Sequence, residues 1–156
     1  MNKETKAGYA LQPGEGKFID FRGTNMTVKV SGEVSDVTYS LIEMLHPPDV
    51  GPALHIHPTG AEAFYVQEGL YRIQCGGKTY TTNPGGFVFI PKGVPHNYIS
   101  GSKGGKVLVL AHAGLENYFA EVADALQVGS LTGEMEQEIA KKYGQEFLDN
   151  LKHWGQ

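Results

Sequence analysis

Cysteine is almost missing: Cys75 is the single one among 156 residues, so no intramolecular disulfide can form. A chain of this length manages without one, because it buries roughly 70% of the surface its unfolded form exposes. The sequence also lacks any apolar run approaching the ~18 to 20 residues that cross a bilayer, which argues against a membrane-spanning role. Its N-terminus has none of the basic, apolar and small-residue regions of a secretory signal, so the expected address is cytoplasmic. No basic stripe is present and the formal charge is −4, which argues against nucleic acid as a partner. The charge is unevenly distributed: residues 115–156 hold Glu116, Glu121, Asp124, Glu134, Glu136, Glu138, Glu146 and Asp149 against Lys141, Lys142 and Lys152. The remainder is close to neutral, and no repeat or low-complexity tract interrupts the chain.

Glycine and proline are abundant, at 21 and 8, and they separate short segments rich in Val, Ile, Tyr and Phe. Short strands joined by many turns are the expected product, giving an all-β body of sandwich or barrel type. Strand-like patterning covers residues 26–31, 37–45, 53–57, 62–68, 70–75, 78–82, 86–91, 96–100 and 106–112. Residues 1–22 read as an irregular lead-in or an arm laid on that body. Gly69 reads as the turn of a hairpin, and "GSKGG" at 101–105 as a loop. After Ala113 the period changes to helical: Leu115, Tyr118, Phe119, Val122 and Leu126 form one apolar face ending near Gly129. A second helix is expected from an N-cap at Thr132, with acids in its first turns, Met135, Ile139 and Tyr143 on a stripe, and Lys141 and Lys142 before Gly144. Phe147, Leu151 and Trp154 suggest a last short helix, and the acidic residues of the tail are expected to form a solvated face.

Chemistry gathers in two stretches. On a strand His55 and His57 point to the same side, and Glu62 returns after the loop "PTGA" at the start of the next strand. His96 follows a turn built by Pro91, Gly93 and Pro95, so a second strand pair can deliver a third imidazole. Three imidazoles and one carboxylate suit one divalent transition metal, namely iron, manganese, nickel, zinc or copper, with coordination positions left open. His46, His112 and His153 read as hydrogen-bonded neutral side chains, and Cys75 as core packing.

The two stretches resemble the paired motifs of the cupin superfamily. Gly51, His55, His57, Glu62 and Gly69 follow the order of the first motif, with a shortened initial spacer. Gly85, Pro91, Gly93 and His96 follow the second, whose asparagine is replaced by Ser100. The helical end, including "KKYGQEFL" at 141–148, looks like the tail of one-domain bacterial cupins labelled quercetin-dioxygenase-like. The resemblance implies a double-stranded β-helix, or jelly roll, with one metal held by His55, His57, Glu62 and His96, and a homodimer. It divides the chain into an arm (1–25), a barrel (26–113) and a helical extension (114–156) packed on the barrel or a partner subunit.

The expected activity is that of a dioxygenase acting on a small hydroxylated aromatic or enol, with Glu62 serving as ligand and, when displaced, as proton acceptor. Candidate pocket residues are Phe64 and Val66, on the face of Glu62; Tyr98, on the face of His96; and Tyr39, Met44, Phe87 and Phe89. Alternatives are a metal-dependent isomerase, decarboxylase or cyclase, and a non-catalytic module that binds a small molecule.

Overall fold

The computed structural model of the chain describes residues 7–149. Nine strands and two helices follow one another as β1 (Lys17–Phe21), β2 (Thr24–Val30), β3 (Ser40–His46), β4 (His55–Ile56), β5 (Glu62–Cys75), β6 (Lys78–Thr82), β7 (Phe87–Ile90), β8 (His96–Ala111), α1 (Leu115–Gln127), α2 (Gly133–Lys142) and β9 (Glu146–Phe147). All pairings are antiparallel, and β8 is the hub: it pairs with β3, with β4 and along most of β5. The strands roll into a double-stranded β-helix with helices at its C-terminal side.

Alternation decides what lies inside. Met26 and Val28 of β2, Ile42 and Met44 of β3, Phe64 and Val66 of β5, and Val107 and Val109 of β8 are all buried. Successive side chains of a strand face opposite sides, so each of these strands contributes one face to a shared core. The same rule, running on through β8, turns His96 and Tyr98 inward.

Several boundaries differ from expectation. Residues 17–21, read as part of an irregular lead-in, form β1 against β2. No hairpin turns at Gly69; β5 continues through it with a register shift, and residues 101–104 of β8 bulge opposite Leu70. Gly69 has φ +77°, and a side chain there would collide with the backbone of Gly104, so the glycine serves a bulge and a close approach. "GSKGG" accordingly lies within β8. Phe147 lies in β9, paired opposite His55, and is not helical. Leu151, Trp154 and His153 lie outside the described residues.

The helices begin as anticipated. Thr132 caps α2 by accepting from Met135 N at 3.2 Å. Leu115, Tyr118, Phe119 and Val122 of α1 are buried, and the ring of Phe21 lies 5.1 Å from that of Phe119. Two tail acids depart from the expected solvated face. Glu136 is buried and accepts from Arg22 Nη1 and Nη2 at 2.8 and 2.7 Å and from the Tyr118 hydroxyl at 2.9 Å, which clamps α2 to the β1–β2 turn. Glu116 is also buried, and accepts from Gly32 N at 2.7 Å and from the Ser40 hydroxyl.

Candidate metal centre

Four buried side chains meet at one end of the barrel. His55 sits on β4 with its backbone opposite His96, the first residue of β8. His57 follows β4 directly, and Glu62 opens β5. Ring centroids are 4.2 Å apart for His55 and His96, 5.1 Å for His55 and His57, and 5.2 Å for His57 and His96. One nitrogen or oxygen from each of the four lies within 4.8 Å of the others. The geometry therefore brings together the four residues that the sequence pairs by motif.

Orientation is fixed from outside the cluster. His55 Nδ1 bonds the carbonyl of Ala53 at 2.7 Å, and His96 Nδ1 that of Val94 at 2.9 Å. A carbonyl only accepts, so each Nδ1 carries the proton. His57 Nδ1 meets His112 Nε2 at 3.1 Å. Engaging every Nδ1 outward leaves the Nε2 atoms facing inward, the arrangement that partners of metal-binding histidines impose.

The inward atoms are partly unsatisfied. His57 Nε2 is buried without a hydrogen-bond partner, although Glu62 Oε2 lies 3.3 Å away. His96 Nε2 and Glu62 Oε2 are 2.9 Å apart. Burial, then the neighbouring His96 and His57, push His55 down to about 3. Burial alone would raise Glu62, but His57 and His96 outweigh it and hold the acid well below the usual carboxylate range. For His96 burial is outweighed in turn by Glu62, and the pKa rises. An orphaned buried imidazole nitrogen beside an anionic carboxylate fits a divalent cation, which accepts lone pairs and balances the charge. All four residues can hold such an ion.

A cavity of about 20 Å³ adjoins the cluster, lined among others by Met44, Phe64 and Tyr98, three of the anticipated pocket residues. Val66 is buried in the core but does not line it. Phe87 and Phe89 do not face the interior: they are 61% and 56% exposed on the outer side of β7, whose Val88 and Ile90 point inward. Tyr39, 38% exposed, lies outside too, and with Phe89 it lines an open groove of about 450 Å³ that also borders Glu62 and His112.

A family model described as a cupin domain matches residues 41–112. The barrel is a cupin domain. Among solved structures, this cupin is similar to KdgF from Halomonas sp., at 14% identity and a TM-score of 0.62 over 71% of this chain and 98% of that one. An RmlC-like cupin from Shewanella frigidimarina matches at 15% identity and a TM-score of 0.61, over 72% and 96%. RemF, a polyketide cyclase from Streptomyces resistomycificus, matches at 19% and 0.58, over 68% and 79%. At such identities the likeness is one of fold. No curated protein matches the chain.

Sequence reasoning left three neighbours of the cupin's cluster unassigned. His112 is hydrogen-bonded as its sequence context suggests, but its partner is a candidate ligand, His57. A methyl at Gly60 would fall 2.5 Å from His112 Cβ, so that glycine makes room for the ring. Gln145 lines the cavity and the Phe147 ring lies 5.9 Å from that of His55, both from the segment after α2. No spacing in the sequence signals these two, because the tail reaches the cluster only through tertiary packing. His46 matches its reading as a buried neutral side chain: its Nδ1 meets the Tyr71 hydroxyl at 2.9 Å, its Nε2 the Tyr98 hydroxyl at 3.0 Å, and burial lowers it to about 4. Cys75 packs against the core at its edge.

Proposed function

We propose that the chain is a metal-dependent cupin enzyme in which His55, His57, Glu62 and His96 hold one divalent transition ion, iron, manganese, nickel, zinc or copper. The observation that carries this reading is the convergence of three imidazoles whose Nδ1 atoms are engaged elsewhere, with His57 Nε2 buried and unpartnered beside an ionised Glu62. When bound, the ion supplies Lewis-acid or redox chemistry to a small hydroxylated aromatic or enol, and dioxygenation is the leading reaction. The residues supply the rest. Met44, Phe64 and Tyr98 present a largely apolar wall, which keeps water scarce and strengthens electrostatic interactions at the cluster. Glu62, a carboxylate at neutral pH, accepts a proton when a ligand takes its place.

The inner cavity of about 20 Å³ accommodates one water-sized group, and a ring-sized substrate would approach Glu62 from the open groove of about 450 Å³ that borders it. A second reading, a metal-dependent cyclase, isomerase or decarboxylase that needs no oxygen, draws support from the polyketide cyclase among the structures of similar fold. Non-catalytic binding of a small molecule is the third. No helix among the described residues is long and apolar enough to cross a membrane, and we place the protein in the cytoplasm as a homodimer. The dimer proposal is supported by the outward Phe87, Phe89, Tyr65 and Leu110, which adjoin across β7, β5 and β8 as an exposed apolar patch.

Metal analysis of the purified protein, then oxygen uptake against flavonol, catechol and diketone panels with each ion restored, tests the reading. Turnover with oxygen consumption is expected. Turnover that persists under anaerobic conditions would transfer the assignment to the second reading, and unchanged substrate after long incubation to the third. His96→Ala is expected to abolish or greatly weaken metal uptake while the barrel stays folded; undiminished uptake would remove β8 from the site.

A further inference from the structure

Two residues depart from ordinary backbone geometry at the edge of the open groove. Asp36 and Val37 follow one another at φ +58° and +62°, in the left-handed region, and neither is a glycine. Val37 is β-branched and 79% exposed, so packing of its side chain does not offset the strain. Hydrogen bonds hold the turn instead. Ser35 Oγ accepts from Thr38 N at 3.2 Å and from Tyr39 N at 3.1 Å and donates to Tyr39 O at 2.6 Å, while Val37 N donates to Gly32 O at 2.7 Å. At the base, Gly32 N and the Ser40 hydroxyl both donate to Glu116 of α1. Such strain persists only where surrounding bonds over-determine it, and its product here is a rigid loop, residues 31–39, that fixes the backbone of Tyr39.

Tyr39 lines the groove of about 450 Å³ together with Phe89 and Leu110. That volume falls within the ~300 to 1,000 Å³ of sites for small organic ligands. Glu62 is the one described residue that borders both this groove and the inner cavity, so the groove is the ring-sized approach to the candidate ligands. Among the described residues its one carboxylate is Glu62, no lysine or arginine lines it, and His112 has its Nε2 engaged by His57. An anionic ligand would meet no counter-charge there. Two aromatic side chains in one groove suit a planar, uncharged ring.

We propose that Tyr39 is a specificity-determining residue of the centre: the strained loop holds it at the rim of the groove, where with Phe89 it offers aromatic surface to a planar, uncharged hydroxylated ring approaching Glu62. This deepens the metal reading above and rests on it. A side chain on a rigid loop loses little freedom when a ligand stacks on it, so less of the contact is spent on ordering. Phe89 and Leu110 belong also to the exposed apolar patch, whereas Tyr39 lies outside it, and substitution of Tyr39 therefore separates ligand binding from association of the chain.

Zinc-loaded protein, its zinc content measured first, is titrated calorimetrically with 1-naphthol, with 1-naphthalenesulfonate, and with decahydro-1-naphthol, the saturated, non-planar counterpart; no turnover is required. Wild type is expected to bind 1-naphthol about tenfold or more tightly than either of the others. Y39A is expected to bind it about tenfold more weakly, the loss of one stacked ring, and to lose the preference over the saturated alcohol. Y39F keeps the ring and is expected to match wild type. Y39L, bulky without a ring, serves if Y39A does not fold. No naphthol binding, equal naphthol affinity in wild type and Y39A, or sulfonate bound as tightly as naphthol would overturn the proposal and leave the metal reading standing. Absence of bound zinc in the wild type would overturn both.

Discussion

Replacing His112 by phenylalanine keeps a ring beside Gly60 and Gly144 but removes the partner of His57 Nδ1. The contact is 3.1 Å and half-buried. Burial, then the neighbouring His57, lowers the pKa of His112, so it is neutral at pH 7 and its Nε2 can accept. Its own proton then sits on Nδ1, which faces Ala113 O at 3.4 Å. In the variant the His57 ring loses what fixes its tautomer and rotation, and an Nδ1–H facing the apolar ring is left without a bond. Loss of such an outer partner lowers metal affinity about 10- to 100-fold, equivalent to about 1.4 to 2.7 kcal/mol. The unsatisfied donor costs the metal-free fold about 1 to 3 kcal/mol as well. Competition between the protein and a chromophoric chelator for zinc, near neutral pH, reads the first effect, and urea unfolding without metal reads the second. His112→Gln, which keeps an acceptor, is expected to recover part of the affinity. If the phenylalanine variant holds zinc as tightly as the wild type, His112 does not orient a metal ligand through His57.

Three further outcomes are expected. His46 is neutral in the fold, with a pKa near 4 against 6.5 when unfolded, so the unfolded chain binds the extra proton between those values; stability is full above pH 6.5 and falls toward pH 4, by roughly 3 kcal/mol. His46→Gln should flatten that part of the pH–stability curve of metal-free protein, and an unchanged slope would contradict it. Arg22→Met leaves Glu136 buried with only the Tyr118 hydroxyl, and the partial exposure of Arg22 limits the loss to about 1 to 3 kcal/mol; guanidinium unfolding at unchanged m-value measures it. Phe89→Glu puts a charge in the exposed apolar patch and is expected to convert dimer to monomer in sedimentation equilibrium; a variant with the wild-type mass would place the interface elsewhere.

The sequence made the cluster legible because its signals are local. His55 and His57 share a strand face whatever the rest of the chain does, and glycines and prolines fix where the partner segments turn. Face assignment failed where alternation carries no information. β7 reads Phe-Val-Phe-Ile, apolar on both sides, so nothing in it says that the phenylalanines rather than Val88 and Ile90 look outward. Gly69 departs from expectation for another reason: a glycine at positive φ serves a hairpin or a bulge equally well, and residues 101–104 of the paired strand make the choice. Glu116 and Glu136 looked like solvent-facing acids because their partners, Gly32, Ser40 and Arg22, lie far away in the sequence. Gln145 and His112 stayed hidden in the same way, since tertiary packing alone brings them to the cluster.

The two-residue pairing of β9 with β4 has a practical corollary for anyone re-engineering this protein. The rung that joins Phe147 to His55 makes the last part of the described polypeptide a scaffold for a side chain introduced some ninety positions earlier. A tag or fused domain attached directly after Leu148 would load that rung mechanically, and excising everything past Ala111 would yield a barrel with one end of its chamber unroofed. Grafts are better made at the exposed stretch around Tyr9.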